Sequence, residues 1–316
     1  MTAVRTLRIG TRASALARVQ TNLVADALGL AVDIVPVVTT GDRSPAPLDQ
    51  LGGTGVFVSA LREALLAGEV DVAVHSYKDL PIGSTDGVVV AAVPSRDDPR
   101  DVLVARDGLT LGELPSGARV GTGSPRRAAQ LRALGLGIEV VPIRGNVDTR
   151  LGKVASGEMD AVVLAYAGLR RLGRRNEATE VLDPIQLLPA PAQGALAVEC
   201  RESDAEARGV LALVDHADTR TAVLAERALL AGLEAGCSAP VGALAEVAEG
   251  DDGPEIFLRG SVTAVDGSAA VRLSATGPTT DAEAVGRRLA ADLLAEGADQ
   301  IMAATLASGR DKGSSA

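Results

Sequence analysis

Short β-branched runs alternate with longer Ala/Leu/Arg-rich stretches through the first two-thirds of the chain. Residues 6–9 read as a strand, 13–28 as a helix, 32–38 as a strand, 56–67 as a helix and 70–74 as a strand. The pattern then restarts, with a further strand at 139–142. Strand and helix in regular alternation predict an α/β fold with largely parallel sheets.

Two stretches echo earlier ones in the same order. Arg8-Ile-Gly-Thr11 is matched by Arg119-Val-Gly-Thr122, and Gly68-Glu-Val-Asp-Val-Ala-Val74 by Gly157-Glu-Met-Asp-Ala-Val-Val163. Ordered echoes predict two lobes of similar topology. Polar, proline-punctuated residues 94–101 are a candidate linker, and residues 189–194 lead into an apolar strand at 195–199, a return crossing. After residue 219 the texture changes to a helix at 222–233, strands at 256–265 and 270–276, and a helix at 281–296. The expected organisation is therefore lobe 1 from 1–98 with 195–218, lobe 2 from 99–194, a small α+β domain over 219–308 and a disordered tail at 309–316.

Composition narrows the function classes. Aromatics make up 1% of the chain and its net charge is −10, which argues against base stacking, nucleic acid and anionic membranes as partners. No apolar run approaches the roughly 18 residues of a membrane span, and residues 1–8 contain no signal-peptide core. Two cysteines, Cys200 and Cys237, make no disulfide framework. A soluble cytoplasmic protein is the expectation.

Against the acidic background, arginines gather among turn residues. Ser124-Pro125-Arg126-Arg127 follows a strand and opens a helix, with serine suited to the N-cap and proline to the first helical position. The free N–H groups of such a turn, with two arginines, make an anion site. Thr11-Arg12-Ala13-Ser14 builds a similar corner in the first lobe, and the two corners could face across a cleft. Arg144-Gly-Asn-Val-Asp-Thr-Arg150 places arginines at both ends of a turn. With 28 Arg against three Lys, position means more here than residue type. A phosphate loop ending at Lys153 fails, because Val147 and Val154 stand where glycine and a hydroxyl are needed.

His75-Ser-Tyr-Lys-Asp-Leu-Pro81 closes a strand, where α/β sheets usually bind ligands. Cys237 lies in a loop of small residues, whereas Cys200 ends an apolar strand and reads as buried core. Two histidines, His75 and His216, give poor support to a metal site or a Cys–His protease, and no metal is expected. On the residues alone, a non-catalytic two-lobe anion-binding protein and a transferase acting on phosphate ligands both stay open.

Taken in order, these stretches resemble the porphobilinogen deaminase (hydroxymethylbilane synthase) family. The matching pieces are Arg8–Ser14, Thr39–Asp42, Gly52–Phe57, Val74–Asp79, Asp98–Asp101 and the arginine stretches above. They continue through 164–173, Gln193-Gly-Ala195, Glu199-Cys-Arg201, Ala225-Glu-Arg227 and 234–240, covering residues 6–245 in order and the rest more loosely.

The resemblance implies two doubly wound lobes similar to type II periplasmic binding proteins, plus a small C-terminal α+β domain carrying the cofactor cysteine. It implies a transferase of tetrapyrrole (porphyrin) biosynthesis that joins four porphobilinogen molecules head to tail, releasing ammonia and giving hydroxymethylbilane. A dipyrromethane cofactor made from substrate would be held by a thioether to Cys237. Each pyrrole ring carries an acetate and a propionate, so the growing chain accumulates negative charge. By resemblance Ser76, Lys78, Thr122, Ser124, Arg126, Arg127 and Arg150 hold the cofactor, while Arg12, Ser14, Arg144 and Arg171 hold the incoming ring, with Phe57 and Gln193 near it. Asp79 takes the catalytic role, stabilising the electron-poor ring left by ammonia and assisting proton transfers. A cytoplasmic monomer is implied. Some positions depart from the family pattern: Gln50 and Thr54 stand where relatives often have lysine, and Pro191-Ala192 replaces a smaller, more flexible pair.

Overall fold

The computed structural model describes residues 5–37, 55–234, 239–250 and 253–303, with side chains from residue 58 onward in the helix that opens at Gly55. The chain forms two compact units, Met1–Asp97 with Gly194–Arg220, and Asp98–Gln193 with Thr221–Ala316.

The first unit begins with β1 (Leu7–Thr11), helix α1 (Ala15–Leu28), β2 (Val32–Pro36), helix α2 (Gly55–Leu66), β3 (Val72–Ser76) and β4 (Val88–Ala92). Helix α1 starts where Ser14 accepts a hydrogen bond from the Ala17 N–H at 3.3 Å, and it stops where Gly29 turns left-handed at φ 63. The second unit continues with β5 (Asp101–Ala105), β6 (Arg119–Thr122), helix α3 (Pro125–Ala133), β7 (Glu139–Pro142), helix α4 (Val147–Ala155), β8 (Ala161–Ala165), helix α5 (Tyr166–Arg171) and β9 (Glu180–Val181). The chain then returns to the first unit as β10 (Leu196–Arg201) and α6 (Ala205–Leu211), followed by α7 (Ala217–Gly232).

The two five-stranded sheets share one plan. Their orders are β2-β1-β3-β10-β4 and β7-β6-β8-β5-β9. In each, three strands run parallel and the fourth, β10 or β5, lies antiparallel to its neighbours. The sequence echoes occupy equivalent registers, Ile9 opposite Val72 in one sheet and Val120 opposite Ala161 in the other. The repeated Gly-Glu-x-Asp does the same task twice. Asp71 Oδ2 accepts from the Arg8 backbone N–H at 3.1 Å, and Asp160 Oδ2 from that of Arg119 at 2.7 Å. Strands β3, β5 and β8 are buried almost throughout, which explains their continuous apolar runs.

The C-terminal part is an antiparallel sheet of β11 (Val241–Gly250), β12 (Gly253–Thr263) and β13 (Ala270–Pro278) with helix α8 (Ala282–Ala295) packed on it. Ile256, Leu258, Leu289 and Leu293 join Leu229 of α7 in one buried cluster. The architecture is α/β throughout the two lobes and α+β at the C-terminus. The sequence reading named no strand at β4, β5, β9 or β11. It also assigned Asp101 to a linker, whereas Asp101 opens the buried strand β5.

Candidate active site

In the first unit, two strand ends carry the predicted residues. Arg12 and Ser14 follow β1, both half-buried, with Ser14 capping α1. At the end of β3 the chain makes a single helical turn over Tyr77–Asp79, closed by the Leu80 N–H on the Tyr77 carbonyl at 3.1 Å. The Tyr77 N–H is held by the Ala195 carbonyl at 3.0 Å, so the turn is anchored to the start of β10. Ser76 exchanges hydrogen bonds with buried Gln20, receiving one from Nε2 at 2.8 Å and donating to Oε1 at 3.2 Å. Lys78 and Asp79 are half-buried. Among the described residues, none donates a hydrogen bond to the Asp79 carboxylate, which leaves its oxygens available to a ligand's N–H groups.

The strand that leads into this turn carries His75, part of a buried cluster that sequence reasoning missed. Glu199 of β10 receives Nε and Nη2 of Arg62, the latter at 2.7 Å, and lies 3.2 Å from His75 Nε2. Burial alone raises the Glu199 carboxyl, but His75 and Arg62 outweigh it and carry it down to about 2. The signal available in the sequence was a lone Glu at the centre of an otherwise apolar strand, which must be paired to be buried.

In the second unit, Ser124 caps α3 by accepting from the Arg127 N–H at 3.4 Å, with Pro125 at the first position. Thr122, buried, accepts from the Ser124 N–H at 3.2 Å. The two arginines that follow are buried and share one counter-ion. Arg126 Nη2 donates to Asp101 Oδ2 at 2.7 Å and its Nη1 to the Leu188 carbonyl at 2.5 Å, while its buried Nε has no partner among the described residues. Arg127 binds the other Asp101 oxygen. Burial pushes the Asp101 carboxyl up, yet Arg126 and Arg127 beside it hold it well below the usual carboxylate range.

Arg150 completes the group. Its Nε donates to the Gly145 carbonyl at 2.9 Å, and no carboxylate of the described residues pairs with it. Burial, then repulsion from Arg127, lowers its pKa from the ordinary guanidinium value. Gly123 makes room for it, and Gly145, whose carbonyl accepts from it, needs the left-handed freedom of glycine. A Cβ on Gly123 would meet the Ile143 carbonyl oxygen at 2.7 Å and Arg150 Nη2 at 3.4 Å, and Gly145 sits at φ 108. Asn146 caps α4 by accepting from the Thr149 N–H at 2.9 Å. Arg144 is exposed beside this turn, and Arg171 is half-buried at the end of α5.

Gln193 is buried. Its Nε2 donates to Asp101 Oδ1 and to the Pro99 carbonyl, both at 2.7 Å, and its Oε1 accepts from Arg127 Nη2 at 3.3 Å. Its amide therefore orients Arg127 and the Asp101 carboxylate that both arginines share. Cys200 is buried as expected, its thiol pushed up to about 11 by burial. Cys237, the Phe57 side chain, Gln50, Thr54, Thr39–Asp42 and the 309–316 tail lie outside the described residues.

The second-unit corner sets Arg126, Arg127 and Arg150 against the single carboxylate Asp101. That surplus of positive charge, a buried donor without an acceptor, and backbone N–H groups at a helix start fit a group bearing several carboxylates. Among the described residues, no helix is long and apolar enough to cross a membrane, and no cluster of His, Cys, Asp and Glu could hold a metal ion.

Comparison with known proteins gives two family matches. Residues 7–209 match the model of the porphobilinogen deaminase dipyromethane cofactor binding domain, and residues 220–295 that of the porphobilinogen deaminase C-terminal domain. A porphobilinogen deaminase of Mycobacterium tuberculosis is 60% identical over 304 residues, covering 94% of this chain and 98% of that protein. One of Mycobacterium avium is 58% identical, covering 94% and 96%. The VFT2 domain of Bordetella pertussis BvgS aligns at 17% identity and a TM-score of 0.39, over 66% of this chain and 86% of that domain, too distant to carry an argument.

Proposed function

The chain belongs to the porphobilinogen deaminase family, and from that premise we propose that Asp79 is its catalytic carboxylate. The enzyme joins four porphobilinogen molecules head to tail into hydroxymethylbilane, releasing ammonia, in tetrapyrrole biosynthesis. Its cofactor is dipyrromethane, which supplies the primer to which new rings are added. Cys237 is the residue we assign to its thioether.

The observation that carries the reading is the pair of guanidiniums on one carboxylate at the start of α3, with a third, Arg150 of α4, near enough for Arg127 to repel it. Arg126, Arg127 and Arg150, with Thr122 and Ser124 at the corner, would hold the acetate and propionate groups of the cofactor. Asp101 fixes Arg126 and Arg127, and Gln193 fixes Arg127. Ser76, fixed by Gln20, and Lys78 are assigned to the cofactor by the family resemblance. Arg12, Ser14, Arg144 and Arg171 are assigned to the carboxylates of the incoming ring, and Phe57 to contact with that ring.

Asp79 accepts hydrogen bonds from the pyrrole N–H groups of the substrate. A carboxylate there stabilises the positive charge that develops as ammonia departs, then takes or returns the protons that adding and rearomatising a ring require. Its anchored turn keeps this carboxylate in place without using its oxygens.

We further read the second unit as two domains, 99–194 and 219–308, and the first as 1–98 with 195–218. The separate buried clusters of the lobe 2 sheet and the C-terminal sheet support that division. A cytoplasmic monomer is part of the same reading, which sedimentation of the purified protein tests. The intact mass of the purified protein, compared with Cys237→Ser, tests the central assignment. A mass excess of two linked pyrrole units, absent from the variant, is expected. No excess in folded protein supplied with porphobilinogen would remove Cys237 from its role.

A further inference from the structure

A cavity of about 460 Å³ opens in the second unit between residues 184–188 and the sheet strands β12 and β13. Leu188, Phe257, Leu273, Pro184 and Ile185 give it apolar walls. Ile185 is 73% exposed and Phe257, one of two phenylalanines in the chain, is 38% exposed. Two large apolar side chains left in water beside one recess are a feature of binding surfaces.

Arg272 stands in the same wall. Its Nη1 donates to the Ile185 carbonyl and its Nη2, at 3.4 Å each, to Gln130 Oε1 and the Gln186 carbonyl. Partial burial lowers its pKa from the ordinary guanidinium value, and no carboxylate of the described residues pairs with it. The neighbouring Arg259 has its counter-ion: it pairs with Glu246 at 3.0 Å and lies over the Phe257 ring at 5.8 Å, although its buried Nε has no partner among the described residues. The cavity thus has apolar walls and one cation lacking a counter-ion.

We propose that this cavity is a binding site for a small monoanion with an apolar body, of the aromatic carboxylate class. The Arg272 guanidinium provides the charge, and a carboxylate that displaces its two long Nη2 bonds to Gln130 and Gln186, 3.4 Å each, gains a two-donor fork. Phe257, Leu188 and Leu273 cover the ring, which fits the volume available. Phosphate or acetate would gain the cation but leave the apolar walls wet. The site is joined to the arginine corner. Gln130 donates to the Leu188 carbonyl at 3.0 Å and accepts from the Leu188 N–H at 2.7 Å, and that carbonyl also accepts from Arg126. A ligand drawing Arg272 away from Gln130 is therefore felt at Arg126.

Fluorophenylalanine incorporated into the full chain gives two resonances, which Phe257→Leu assigns. Benzoate titrated through the millimolar range should shift the Phe257 resonance saturably, and acetate at matched ionic strength should not. Arg272→Met should weaken benzoate binding at least tenfold, with part of the loss restored in Arg272→Lys. Should Arg272→Met fail to fold, Ser274→Trp fills the cavity mouth with Arg272 intact and should abolish the shift. Absence of a saturable benzoate shift in the wild type, or an undiminished one in folded Arg272→Met or Ser274→Trp, overturns the proposal. An equal response to acetate overturns it too, because the apolar walls would then contribute nothing.

Discussion

Arg127 donates twice to one oxygen of Asp101, from Nε at 3.0 Å and from Nη2 at 2.7 Å. Arg126 occupies the other oxygen at 2.7 Å, and all three side chains are buried. Two guanidiniums in a dry setting depend on that one charge. Removing one partner of a buried pair leaves the other uncompensated, at a cost of about 3–5 kcal/mol. Asp101→Ala should therefore lower the stability of the chain by an amount in that range, read from urea unfolding. A midpoint close to the wild type would mean that water reaches the arginines and that Asp101 does not hold them.

Asp79 stands in the opposite situation. It is half-buried in an anchored turn and takes no hydrogen bond from a described residue. The fold asks nothing of its carboxylate, so Asp79→Ala should stay within about 0.5 kcal/mol of wild-type stability. Turnover of porphobilinogen should fall by about a hundredfold or more, the usual contribution of a positioned acid–base group. Substantial residual turnover in stable protein would take Asp79 out of the catalytic role.

The contrast between these two aspartates also marks what the sequence revealed. The turn that carries Asp79 was legible because it follows a strand and is polar, where α/β sheets bind ligands, whereas a catalytic role for Asp79 came only from the resemblance to the family. The duplicated lobes were legible because Asp71 and Asp160 perform one local task, accepting from the Arg8 and Arg119 N–H groups, and a repeated task preserves a repeated motif. Asp101 was misread as linker because prolines and charges precede it. The cue lay on its other side, where Val102-Leu-Val-Ala105 forms a buried strand and an acidic residue at its head must find a cation. Pairing between Arg62 on α2 and Glu199 on β10 joins residues far apart in the chain, and no local periodicity encodes it. Strand β11 escaped because its second half, Glu246–Gly250, is largely exposed and rich in Glu and Ala.

Glu199 gives the first unit a defined acid sensitivity. Its carboxyl lies at about 2 in the folded chain against an ordinary value of 4.5. A depressed folded value means that the stabilisation is present above pH 4.5 and is lost as pH falls toward 2. Complete loss amounts to on the order of 3 kcal/mol. Glu199→Gln cannot titrate, so its unfolding free energy should start lower at neutral pH and fall less steeply through that window than that of the wild type. Asp71 and Asp101, also held below the carboxylate range, titrate in both proteins and cancel in the comparison. Parallel pH profiles would show that Glu199 is not held ionised by Arg62 and His75.

Ala192 carries a backbone cost that its side chain partly hides. It lies at φ 62, fully buried, with its N–H on Glu226 Oε2 at 2.5 Å, immediately before the Gln193 that orients Arg127. A left-handed alanine costs about 1–2 kcal/mol, which glycine would relieve. Against that relief, glycine forfeits a buried methyl worth about 0.8 kcal/mol and adds about 0.4–1 kcal/mol of unfolded-state entropy. The opposing terms nearly cancel, so Ala192→Gly should change stability by less than about 0.5 kcal/mol. Ala197 on β10 supplies the control, because it is equally buried in ordinary extended backbone. With no strain to relieve, Ala197→Gly should lose about 1.5 kcal/mol. Equal losses at the two sites would mean that Ala192 does not occupy the left-handed region in solution. Near neutrality at 192 alone would identify the departure from the flexible pair of its relatives as a tolerated strain at the crossing back to β10.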